Sequence, residues 1–120
     1  FSSTPSVPVS RNLGRKQAME LLLTGYFIDA HTALQWGLVN RVVPASRLDQ
    51  EVADLAGSIM SKSWVAVATG KRMFYKQLEL PLESAYEYAS GVMAGNMMAD
   101  DVEEGVDAFM QKRTPVWKHQ

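Results

Sequence analysis

Apolar residues recur three and four apart through most of the chain, the spacing of one helical face. Ala18, Leu21, Leu22 and Gly25, widened by Met19 and Leu23, predict a helix from about Arg15 to Thr24, with Gly25 suited to its left-handed exit. Asp29 ahead of Ala30 and Gly37 behind Trp36 frame a two-turn helix, because Asp accepts from a free first-turn amide and Gly tolerates the turn that closes it. Ser46 and Asp49 resemble a capping box, followed by a stripe of Leu48, Val52, Leu55, Ala56, Ile59 and Met60 that runs on to Lys62. Val65, Ala68, Met73 and Phe74 predict a helix over 64–78. Pro81 suits the opening of the next, which carries Leu82, Ala85, Tyr86, Ala89, Val92, Met93 and Met97. Asp100 and Asp101 open the last helix, with Val102, Val106, Phe109 and Met110 on one face and Lys112 and Arg113 in its final turn.

Two stretches break the helical period. Residues 1–10 mix small polar residues with Val and carry Pro5 and Pro8, which predicts a loop or turn feeding the first helix. Leu38-Val39-Asn40-Arg41-Val42-Val43-Pro44 is the one good strand candidate, and a lone strand leaves its backbone donors without a ladder. It is therefore an extended connector, or its sheet lies in other sequence. The fold class is mainly α.

Composition narrows the function classes. The 120 residues carry 12 basic and 13 acidic side chains, a net charge of −1, which argues against non-specific nucleic-acid binding. The absence of Cys excludes a disulfide scaffold, a thiolate zinc site and a Cys nucleophile. No apolar run approaches the ~20 residues that span a bilayer, and no secretory signal opens the sequence. A start at Phe1 rather than Met leads us to expect a longer parent chain.

Candidate chemistry is sparse. His31 sits two residues past a helix cap and His119 in a terminal tail, with no metal-ligand spacing between them, so no metal site is expected. Glu103 and Glu104 diverge by about 100° on a helix, and together with Asp100 and Asp101 they crowd a helix N-terminus, where solvated negative charge is favoured. Ser2, Ser3 and Thr4 lack a local base, and no Gly-rich phosphate loop occurs. Lys112 and Arg113 either complement a helix dipole or contact an anion beside Phe109. No self-sufficient active site is legible, so the expected catalytic set within these residues is empty.

The spaced string from Gly14-Arg15 through Leu23-Thr24-Gly25, Ile28, Ala30, Ala33, Gly37-Leu38-Val39-Asn40 and Val42-Val43-Pro44 closely resembles the enoyl-CoA hydratase/isomerase (crotonase) family. Glu104-Gly105 through Phe109, Lys112-Arg113 and Pro115-Val116-Trp117 resemble that family's C-terminus. The resemblance implies the C-terminal helical, oligomerisation region of an α/β fold built on a ββα spiral. It divides the chain into 1–13, a loop from the end of the spiral core; 14–44, a helix–helix–extended segment adjoining that core; and 45–120, the helical oligomerisation region. It further implies an acyl-CoA thioester as substrate, with CoA part of that substrate and no other cofactor. A homo-oligomer, trimer or hexamer, is the implied partner, without nucleic acid or membrane. The implied compartment is the cytoplasm in a bacterium or the mitochondrion in a eukaryote.

The family's catalytic glutamates and oxyanion-hole amides precede the position matching Phe1, and its hydratases carry a Gly-rich turn where this sequence has Phe1-Ser2-Ser3-Thr4-Pro5. Phe109 and Lys112 match the positions that reach a neighbouring subunit's CoA, the ring near adenine and the lysine at phosphate. The rival reading is a stand-alone helical assembly module without catalysis. In either case the apolar stripes are expected to remain exposed unless further chain or sister copies cover them.

Overall fold

The computed structural model describes residues 1–119, which are helical with short connections. Two compact units divide the chain, the first spanning Phe1–Glu51 and the second beginning at Val52. The first contains α1 (Ser3–Asn12), α2 (Arg15–Thr24) and α3 (Ala30–Trp36), then a single 3₁₀ turn, Ala45–Arg47. Helix α4 (Leu48–Met60) leads into the second, which contains α5 (Trp64–Gln77), α6 (Leu82–Asn96) and α7 (Asp100–Gln111). No strand occurs among the described residues, in keeping with the mainly helical class expected of the C-terminal region of a crotonase-type fold.

The loop expected over 1–13 is corrected: residues 3–12 form α1, which packs on α2. Pro5 falls in the first turn, where its missing N–H would have had no intrahelical acceptor, so only Pro8 removes a helical bond. Side chains reinforce the short helix: Ser6 Oγ donates to the Ser3 carbonyl at 2.6 Å and Asn12 Nδ2 to that of Pro8 at 2.8 Å. Residues 38–44 make no ladder among the described residues, and an Arg41–Glu51 ion pair ties this connector to the start of α4.

Helix ends follow the capping residues closely. Asp29 accepts from the Thr32 amide at 2.7 Å, a bond that holds its carboxyl below the ordinary carboxylate range. Gly25 (φ 66°) and Gly37 (φ 80°) take the left-handed conformation that ends α2 and α3. The capping box at Ser46 is replaced by the 3₁₀ turn, which delays α4 to Leu48.

Burial is thin. Among the described residues, the buried apolar ones are Leu13, Ala18 and Ala33 in the first unit and Ala108 in the second. Helix α4 shows its whole stripe: Val52 is 59% exposed, Ile59 51% and Met60 79%. The chain exposes 9881 Å², whereas a folded monomer of this mass is expected to expose about 6,500 Å². These faces have the composition of a core and, within the described residues, nothing to pack on.

Replacing Asp29 with Ala leaves a first-turn amide of α3 unpaired, and the expected cost is about 1 kcal/mol, read as a lower urea midpoint. Asp29→Asn, which keeps the accepting oxygen, should retain most of the stability.

Candidate functional site

Residues 112–119 leave α7 and fold back along it. A chain without a ladder must find acceptors for its amides elsewhere. Two carboxylates one turn apart on α7 supply them. Asp101, buried at 4% exposure, accepts from the Lys118 amide at 2.7 Å and the His119 amide at 3.1 Å. Its other oxygen takes the Ser63 hydroxyl at 2.5 Å, while Ser63 Oγ accepts from the Ala66 amide to cap α5. Glu104 accepts from Arg113 through Nη1 at 2.6 Å and Nη2 at 2.9 Å, and from the Val116 amide at 2.6 Å. The Trp117 indole donates to the Ser61 carbonyl at 2.7 Å and lies against Gly105.

The four acids expected as solvated charge therefore separate. Asp100 and Glu103 stay exposed, whereas Asp101 and Glu104 hold the tail. Sequence spacing shows this only in hindsight, because Glu104 and Arg113 meet across a helix end. Ser63, Asp101 and His119 lie together but form no nucleophilic triad: the Ser63 proton goes to Asp101, and His119 Nδ1 accepts from the Trp64 amide. His31 is exposed. Beneath the tail lies an open groove of about 480 Å³, walled by Val65, Ala66, Ala99, Val102 and Trp117.

Phe109 and Lys112 stand one turn apart at the end of α7. Phe109 is 80% exposed. Lys112 is exposed, and its ammonium makes no hydrogen bond or ion pair among the described residues. Instead of ending the helix, as its place in the sequence suggests, Lys112 lies just beyond it with φ 54° and ψ 38°, in the left-handed region that glycine fills after α2 and α3. For a residue with a Cβ that conformation costs roughly 1–2 kcal/mol. The Lys112 amide donates to the Phe109 carbonyl at 3.2 Å and the Arg113 amide to that of Ala108 at 3.0 Å, the paired bonds of a Schellman turn. An exposed cation one turn along the chain from an exposed aromatic ring suits an anion joined to a planar base, and the cation must outweigh the negative end of the α7 dipole. Among the described residues, no three His, Asp or Glu side chains group as metal ligands.

The family model for enoyl-CoA hydratase/isomerase matches residues 4–120. Enoyl-CoA hydratase domain-containing protein 3, mitochondrial, of Rattus norvegicus is 47% identical over 119 residues, covering 99% of this chain and 40% of that protein. Among solved structures, an enoyl-CoA hydratase of Mycobacterium smegmatis superposes with a TM-score of 0.92 at 50% identity, over 96% of this chain and 45% of that one. The human enoyl-CoA hydratase domain-containing protein 3 superposes with a TM-score of 0.91 at 45% identity, over 96% and 46%. This chain thus spans about 40% of the length of the curated relatives it matches.

The tail's anchorage has a definite acid dependence. The Arg113 guanidinium, helped by the Val116 amide, lowers the Glu104 carboxyl from its ordinary 4.5 to about 2. A carboxyl depressed in the folded state stabilises it fully above its unfolded value. That contribution declines as pH falls from about 4.5 toward 2. Asp101 is lowered by the Ser63 hydroxyl and acts with the same sign. An acid titration followed through the Trp117 indole N–H signal should show the tail releasing in that window, and Glu104→Gln should flatten the dependence there.

Proposed function

Because the chain belongs to the enoyl-CoA hydratase/isomerase family, we propose that it serves an enzyme acting on acyl-CoA thioesters through an oxyanion-stabilised enolate, and that it contributes oligomer contacts and part of the CoA site. Phe109 lies beside the adenine and Lys112 at a phosphate of CoA held by a neighbouring subunit, while the reacting thioester is handled by residues outside this chain. The uncovered stripes of α4 and α6 support packing against further chain and against sister copies in a trimer or hexamer. The compartment is mitochondrial in a eukaryote, as the rat relative's name states for that protein, and cytoplasmic in a bacterium.

One observation supports the CoA reading: of the two adjacent cations at the end of α7, Arg113 is committed to Glu104, while the Lys112 ammonium has no partner among the described residues. The adenine side is the exposed ring of Phe109, whose flat face offers a base a stacking surface without selecting among bases.

The test is CoA titration of the natural-length protein. Lys112→Gln should weaken binding about tenfold, the worth of one charge-assisted contact, and flatten its salt dependence. Phe109→Ala should weaken it several-fold. Unchanged affinity in both variants, or no CoA binding by the wild type at low salt, would leave the assembly-module reading in its place.

A further inference from the structure

We propose that Glu104, acting through Arg113, is a positioning residue for Lys112: their two-pronged ion pair holds the turn that presents the lysine ammonium to an anion. The inference rests on the CoA reading above and extends it to a residue that would touch no part of the ligand.

Three helices of this chain leave through a left-handed residue, and two of those residues are glycine. At the third, Lys112 occupies a conformation that its Cβ opposes. A Schellman turn is commonly clasped by an apolar contact between the residue after the left-handed position and the helix's last turn. Here that following residue is Arg113, and no apolar clasp is available to its guanidinium. It reaches back to Glu104, with bonds of 2.6 and 2.9 Å, and its Nε also donates to Gln111 at 2.8 Å. The fork fixes the planar guanidinium in two directions at once, which a single contact would not do. Glu104 is fixed in turn by the Val116 amide at 2.6 Å.

The clasp has a second effect. By occupying Arg113, Glu104 neutralises the cation next to Lys112 in the sequence and leaves the lysine ammonium as the one without a partner at this helix end among the described residues. Without Glu104, Arg113 would be released, the turn would lose its fastening, and Lys112 would sample ordinary helical and extended conformations that carry its ammonium elsewhere.

A purely structural strap predicts something different, so the two are separable by a mutant cycle on CoA affinity in the natural-length protein. Glu104→Gln should weaken CoA binding three- to tenfold in the wild-type background and have no further effect in the Lys112→Gln background. Equal weakening in both backgrounds, or full affinity in Glu104→Gln where Lys112→Gln loses it, would overturn the proposal. If Lys112→Gln itself changes nothing, the CoA reading fails instead, and the cycle reports that separately. Should Glu104→Gln not fold, Arg113→Lys, which keeps the charge and removes the fork, takes its place with the same expectations. Lys112→Gly supplies an independent readout: it should raise the melting temperature while lowering CoA affinity. A lower melting temperature would show that the turn is not under strain and would also overturn the proposal.

Discussion

Backbone amides that leave a helix without entering a sheet need acceptors, and the way this chain meets that need organises its second unit. The tail's donors are gathered by Asp101 and Glu104, one turn apart on α7. Because Asp101 also receives the Ser63 hydroxyl, which caps α5, a single buried carboxylate ties the starts of two helices to the returning tail. Glu104 adds the ion pair that decides which of two neighbouring cations is free. Position, capping and charge at the end of α7 thus trace to two side chains.

Elsewhere the molecule is governed by what its helices do not bury. A face such as that of α4 is valuable only against another apolar surface, and burial there would contribute about 25 cal/mol for each Å² removed from water. The exposure beyond the expected area of a monomer, about 3,400 Å², exceeds the ~1,600 Å² of a standard protein interface. The chain spans about 40% of its curated relatives' length, and among the described residues its helices are patterned for a larger core than the few apolar residues they bury.

Much of this was readable from the residues, and the reasons for the remainder are physical. The borders of α2 and α3 are written in Asp29, Gly25 and Gly37, whose effects act within one turn. Helix α1 was hidden because proline opposes helix only past the first turn, and Pro5 falls inside it. The exposed pair Phe109 and Lys112 could be named from the family resemblance, but not the conformation of Lys112, since nothing local requires a lysine to be left-handed. From the sequence Asp101 and Glu104 read as solvated charge, whereas the structure makes them the acceptors of the tail. Their partners lie 9 to 38 residues away, and helix-terminus electrostatics favours the same residue types whether or not a tail returns to meet them.

The Trp117–Ser61 hydrogen bond spans 56 positions, whereas the bonds that build each helix span four. Loop-closure entropy rises with such separation, so engaging the strap costs more chain entropy than forming any single turn of α5, α6 or α7. The several bonds the tail makes together must offset that cost, and loosening them would leave the helices formed but the second unit unfastened.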